Sequence, residues 1–532
     1  MRTPTTTARR LAIVAVLGLA AWAPAAHALE KDEARHLLAR TGFGGTPAEI
    51  DQLLPLTREQ AVDALIAGTH ATTRTKPLEW CAGDYAAYMR ARSADWDAAR
   101  GIADRSARDK KENELRGERD RRSRELKGWL YQEMITTDSP LTERMVLFWS
   151  NHFTSALRTI EEPRVMFEQD ALIRRDALDN FAFFLKDINT DPAMYRYLDS
   201  DSNVSGRPNE NYAREVMELF TLGEGQKYTE GDIREAARAF TGYKLDPATG
   251  RAALSPGAHD NGWKTIFGKK GTFDGDDVIK LLLLSEERVA INVAEKFWKE
   301  FVADTLDSKE VYKLAGTFYH AKYDIRKLLR ATLLTKQFWD ADNRGTLFKS
   351  PAEYVVGTAR LLQLPIDDPY GYAQLADHIG YSILDPPNVK GYPGSASWIS
   401  TETLLSRWEV ADQMIGGKVG AGPDVGSMMG GAMAAAPTKP ADGKDASKDG
   451  KKEPATAKKE EPAGGRKEKS DEPLLSLLPK PWVADARTKG ADGVAQAIML
   501  LLPLPPIDEI AKDAGFDQAL RQIVHDPSFN LK

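Results

Sequence analysis

Glu210, Arg214 and Glu218 recur every fourth residue in the stretch Asn209-Glu-Asn-Tyr-Ala-Arg-Glu-Val-Met-Glu-Leu219. On a helix that spacing stacks them on one stripe, with Asn211 and Glu215 beside them and Val216, Leu219 and Phe220 on another side. A base held between acids can serve catalysis, or it can join helices as a structural ion network. His152, in Trp149-Ser-Asn-His-Phe153, and the pair His259-Asp260 could complete the cluster. A buried histidine beside carboxylates can act as a general base or share a metal ion with them. Zinc sites favour several His or Cys ligands, and the chain has no HExxH motif and no paired-His helix. Two carboxylates could serve glycoside chemistry, which depends on a separation that the sequence does not contain.

Two loops add other chemistry. In Asp199-Ser-Asp-Ser-Asn-Val-Ser-Gly-Arg-Pro-Asn-Glu210, the residues Asp199, Asp201, Asn203 and Glu210 fall at positions one, three, five and twelve of a calcium loop. Position six, which makes the sharp turn, is Val204, and Gly206 comes two residues late. The alternative is a polar loop whose Asp and Asn side chains satisfy their own backbone. No other cofactor is implied. The loop Asp385-Pro-Pro-Asn-Val-Lys-Gly-Tyr-Pro-Gly394 is stiffened by its prolines, and the sequence suggests that Lys390, Tyr392, Ser395 and Trp398 project from it. Aromatic faces with a few polar groups suit a sugar ring, and they suit a plugged core equally well. Phosphate loops, nucleophile elbows and dinucleotide fingerprints are absent from the sequence.

The elements that must position these residues read as helix after helix. Lys31 to Arg40 is amphipathic and stops at Gly42 to Gly45; Thr46-Pro47 then starts a helix over Ala48 to Leu54. Arg90 to Leu130 is dense in mixed charge, which predicts a long solvated helix or hairpin arm with Ile102 and Leu115 as inward points. Thr229-Glu-Gly-Asp232 opens a helix with Ile233, Ala236, Ala237 and Phe240 on one face, stopped by Gly242. Val289 to Phe301, Ile325 to Thr335, Ala352 to Leu362 and Thr403 to Met414 are similar. Strand patterns are scarce, with one short hairpin expected around Thr265 to Gly268. A faint echo links Leu185–Met194, Leu329–Phe338 and Leu520–Phe529, each reading as a helix end followed by an anchoring side chain.

Composition sets the compartment. Arg2, Arg9 and Arg10 precede the apolar run Leu11 to Ala21, and Ala26-His27-Ala28 is a small-x-small cleavage site, so residues 1–28 read as a signal peptide. Position 29 is Leu, which argues against a lipoprotein anchor, and Arg9-Arg10 leaves the twin-arginine route open beside the general secretory one. The expected location is the periplasm or the medium. Removing three arginines takes the net charge from −6 to −9, so nothing favours a nucleic-acid partner. No segment after the signal is apolar and long enough to span a bilayer. Cys81 is the only cysteine, so an intramolecular disulfide is impossible. Residues 29–415 form the helical main body. Residues 416–472, rich in Gly, Ala, Pro and Lys without aromatics, read as a disordered insert, and 473–532 regains helical patterning that should pack back on the body. The fold class is therefore mainly α, one large multi-helix body with an insert near the C-terminus.

Ordered blocks along this body resemble a known family. They are Leu37-Leu-Ala-Arg-Thr-Gly-Phe-Gly-Gly45, Trp149 to Phe153, Asn209 to Leu219, Ala237-Arg-Ala-Phe-Thr-Gly-Tyr243, His259-Asp260, Ser350-Pro-Ala-Glu353 and Asp385 to Gly394, followed by Trp398 and Arg407. In this order, over roughly Glu30 to Met414, the chain resembles the exported bacterial family called domain of unknown function 1800. Tyr243 and Tyr392 stand where that family usually has Trp. The resemblance implies a largely helical exported protein without a settled activity, and a companion exported protein that looks like alkaline phosphatases or sulfatases as a partner. Two functions fit: a binding or assembly protein for an envelope or extracellular component, or a hydrolase of an extracellular polymer such as a polysaccharide, using His152 with Glu210, Arg214 and Glu218.

Overall fold

The computed structural model describes residues 27–284, 287–417, 419, 481–511 and 515–532. Nearly all of the expected signal segment, and of the insert at 416–472, lies outside the described residues. Helix makes up 63% of the structure, and the only sheets among the described residues are two antiparallel hairpins. This is the mainly α body that the patterning implied. Lys264–Ile266 pairs with Lys269–Gly271 where a hairpin was expected. Its turn residues Phe267 and Gly268 have φ of 50° and 72°, the left-handed pair that matches strand twist. Tyr243–Leu245 pairs with Ala252–Leu254, a hairpin too short to leave a period-two pattern.

Helix starts follow the sequence punctuation. Thr46 with Glu49, Thr229 with Asp232 and Ser350 with Glu353 each close a capping box, so two orphan N–H groups are satisfied reciprocally. The charged arm divides into helices Tyr85–Arg100 and Arg105–Thr136, which fold back on each other. Leu115 is buried in it and Ile102 is half-buried. The three echoed segments end helices Phe181–Asn189, Ile325–Leu333 and Phe516–His525, and each is followed by a short turn that plants Met194, Phe338 or Phe529 in the core.

Helix ends buried in so large a body need donors for their last carbonyls. Basic side chains supply them. Arg40, fully buried, donates to the carbonyls of Phe301 and Val302, both at 3.0 Å, and of Asn343 at 2.7 Å. This closes helix Arg288–Phe301. Arg35 closes Ala491–Leu501 through Leu502 and Pro503, and Arg360 closes Arg105–Thr136 through Ile135 and Thr137. A cation also suits the negative end of the helix dipole. Burial is nevertheless felt: it pulls the Arg40 guanidinium down to about 9.

The C-terminal segment is stitched to the body by polar contacts. Trp482 Nε1 donates to Leu361 O at 2.7 Å, the fully buried Arg407 reaches Lys349 O and Asn530, and Lys532 Nζ meets Glu353 at 2.5 Å. No helix among the described residues is long and apolar enough to cross a membrane.

Candidate functional site

The helix that carries Glu210, Arg214 and Glu218 does not end in an ordinary way. Asn211–Glu215 is α-helical and runs into a π turn at Val216–Thr221, where Leu222 N–H reaches back five residues to Met217 O at 2.9 Å. Such turns are rare and occur often at functional sites. Here the turn leaves four successive carbonyls without backbone donors, and each one receives a side chain. Lys296 Nζ donates to Leu219 O at 3.0 Å, Asn292 Nδ2 to Thr221 O at 2.8 Å, and Arg288 Nε to Leu222 O at 2.8 Å. His152 Nε2 lies 3.2 Å from Phe220 O. Arg288, Asn292 and Lys296 are spaced by four on helix Arg288–Phe301, so one polar stripe of that helix closes the end of the other.

His152 sits at the end of helix Pro140–His152, ringed by Trp149, Phe153, Phe181 and Phe220. A carbonyl can only accept, so Nε2 carries the hydrogen and Nδ1 keeps the lone pair. That lone pair faces Lys296 Nζ at 2.8 Å. Burial first, and the Lys296 charge second, hold the imidazole well below its ordinary range. His152 is therefore neutral, with both ring nitrogens engaged. Burial brings Lys296 down to about 8, so it is an ammonium at neutral pH. Two of its three N–H donors go to His152 and Leu219, which leaves the third for the cavity that Lys296 lines.

That cavity holds about 340 Å³. Its outer wall is the Pro-rich loop, seated by Asn151 of the Trp149–Phe153 block: Asn151 Nδ2 donates to Tyr392 O at 3.1 Å and Tyr392 N–H donates to Asn151 Oδ1 at 2.7 Å. Gly391 has φ of 76°, and a Cβ there would lie 2.4 Å from Asn151 Oδ1, so only glycine permits the approach. Of the side chains expected to project, Lys390 does so and pairs with Glu224 at 2.5 Å. Tyr392 and Trp398 line the cavity but pack against neighbouring rings rather than projecting. Tyr392 stacks on Tyr381 with centroids 4.5 Å apart and spends its hydroxyl on Ser382, while Trp398 packs 5.4 Å from Tyr392 and is buried. Burying these rings together outweighs exposing their faces. The floor is a buried ion network in which Arg144 pairs with both Glu300 and Glu353, and Glu353 pairs with Lys532. Burial alone would raise the Glu353 carboxyl; Arg144 and Lys532 outweigh it and hold the group well below the usual carboxylate range. Around the cavity five basic residues face three acidic ones.

The remaining expected residues divide among separate contacts. Arg214 pairs with Glu210 at 3.1 Å, Glu218 at 3.2 Å and Glu230 at 2.8 Å, with a third of its side chain exposed. These acids are bound to a guanidinium, and the link from their helix to His152 runs through the Phe220 carbonyl. Asp260 pairs with Arg238 and His259 bonds Thr241 O, which ties the hairpin region to helix Glu230–Ala239. In the calcium-type loop, Asn203 is buried; its oxygen accepts from Asn209 N–H and its amide donates to Ala237 O, while Glu210 turns to Arg214. Among the described residues, no group of three or more His, Cys, Asp or Glu is placed to hold a metal ion. Sequence reasoning missed Lys296, Asn292, Arg288 and Arg144. Their signal was a polar stripe of period four on an amphipathic helix, and an Arg directly ahead of the apolar run Met145 to Trp149.

Fold and site together define a mainly α protein in which the Trp149–Phe153 block, the Asp385–Gly394 loop and the end of one π-turned helix meet at a cavity. Residues 36–529 match the family described as "Protein of unknown function (DUF1800)", and the chain belongs to that family. The match runs well past Met414, so the C-terminal segment is part of the family's body. No curated protein and no solved structure matches the chain.

Proposed function

We propose that the protein is an exported binding or assembly protein that captures an envelope or extracellular component in the cavity bounded by His152, Lys296 and the 390–398 loop. One observation carries this reading: His152, the group best suited to be a general base, has no free nitrogen. Its Nε2–H is given to Phe220 O and its Nδ1 lone pair to Lys296. A base must reach the proton that it abstracts. The hydrolase alternative also needs Glu210 or Glu218 as acid or nucleophile, and both are bound to Arg214. What the cavity offers is a fixed set of donors with cationic excess, which suits recognition. The companion exported protein that the family resemblance implies is the candidate partner for assembly.

Co-sedimentation of the purified protein with envelope fractions and soluble extracellular polysaccharide tests this. Retention without release of reducing ends supports a binder. Polymer breakdown that vanishes in Glu218→Gln would establish the hydrolase instead.

A further inference from the structure

We propose that this cavity is an oxyanion site, in which the Lys296 ammonium holds a carboxylate or phosphate carried by a sugar-sized unit of the captured component. The proposal rests on the binding reading and names its ligand class.

Lys296 is a largely enclosed cation with no carboxylate in ion-pair contact; Glu224 acts on it only from a distance. Its hydrogen-bond partners are a neutral imidazole nitrogen and a carbonyl, at 2.8 Å and 3.0 Å. The acids around it are occupied: Glu300 and Glu353 by Arg144, Glu224 by Lys390, and Asp304 by the Ser395 hydroxyl. Enclosed charges in proteins are paired or solvated, because an unpaired one is costly to desolvate. Elsewhere in this molecule buried cations are held in two ways: Arg174 between the carboxylates of Glu143 and Asp170, and Arg40 and Arg407 by backbone carbonyls. Lys296 is held by a carbonyl and an imidazole nitrogen beside an open cavity, with one N–H left over. The helix-end carbonyls and His152 fix the direction of that N–H, so the donor is oriented before any ligand arrives, which lowers the cost of binding. At about 340 Å³ the space suits one sugar-sized unit; ligand pockets run from about 300 Å³ upward. Lys299 also lines the cavity and adds to the field that favours an incoming anion.

Isothermal titration of the full chain at pH 7 with glucuronate, glucose 1-phosphate and glucose tests the inference. At least one anionic sugar should bind tenfold or more tightly than glucose; which one does so distinguishes a carboxylate-bearing from a phosphate-bearing source. Lys296→Met should remove the preference, whereas Lys390→Gln at the rim should weaken binding only a few-fold. Affinity of the wild type should fall as pH rises past about 8, where Lys296 loses its proton. His152, Glu224, Lys299 and Lys390 face Lys296 or its approach, with Arg144, Glu300 and Asp304 lining the rest. If Lys296→Met does not fold, the wild-type pH series carries the test. Equal affinity for glucose and the anions, or an unchanged preference in Lys296→Met, overturns the oxyanion site. If no sugar binds while envelope material is still retained, the oxyanion site fails and the binding reading survives. If nothing is retained either, both fail.

Discussion

Lys296→Met removes an enclosed ammonium while keeping most of the side-chain volume. In the folded protein burial lowers Lys296 from 10.5 to about 8, a gap that corresponds to about 3 kcal/mol. Between those two pH values the unfolded chain still holds a proton that the folded one has released. The unfolded state then binds more protons, so stability rises with pH across the window. The contribution is complete above 10.5 and is lost as pH falls through about 8; below that, the fold carries the charged form at a cost. Two hydrogen bonds, to His152 and Leu219, offset about 1–3 kcal/mol of it. At pH 7 the variant should therefore be as stable as the wild type, or more stable by up to about 2 kcal/mol. Urea denaturation followed by far-UV circular dichroism at pH 7, 8, 9 and 10 measures the difference directly. The wild type should gain on the variant with each step above pH 8. A difference that stays flat from pH 7 to 10 would refute the desolvated ammonium, and with it the reason for assigning Lys296 a function.

Other perturbations separate structure from site. His152→Ala strips the Phe220 carbonyl of its donor and opens a hole among four rings; a loss of about 3 kcal/mol is expected, and an unchanged melting temperature would show that the histidine is not part of the core. Arg144→Met leaves Glu300 unpaired and Glu353 with Lys532 alone, which should cost about 3–5 kcal/mol in urea denaturation. Arg214→Ala, in a partly exposed cluster, should move the melting temperature little, since exposed pairs are screened by water. Mass spectrometry of the protein from its native host should find Leu29 at the N-terminus, as the Ala26-His27-Ala28 site implies; an intact Met1 chain from the cytoplasm would contradict export.

The helical architecture was legible because apolar residues at helical spacing and capping residues such as Thr46, Thr229 and Ser350 are local signals that tertiary packing reinforced. The site was legible in part. His152 stood out as a histidine beside an apolar run, and Lys390 as a cation on a rigid loop, and the structure brings them to one cavity. Glu210, Arg214 and Glu218 share a stripe as the spacing required, yet they answer mainly to one another and to Glu230 rather than to His152. Whether a helical stripe faces the core or the solvent depends on what packs against it, and spacing does not contain that. The π turn was hidden for a similar reason: it forms where Lys296, Asn292, Arg288 and His152 can take over four carbonyls, and those donors come from distant segments. A proline-rich loop suggests display, so its spacing alone points Tyr392 and Trp398 outward. Tyr392 stacks on Tyr381 and Trp398 packs tilted against it, contacts between separate segments that no local pattern announces.

On the proposed function, the cavity beside Lys296 captures a component of the envelope or the medium. The most direct test of this claim is a photo-crosslinking amino acid placed at position 390, in the full-length protein expressed in its native host. Illumination should join the protein to one dominant species, and the adduct should disappear when Lys296→Met is added to the same chain. No adduct, or an adduct of equal yield with Lys296→Met present, would contradict the claim.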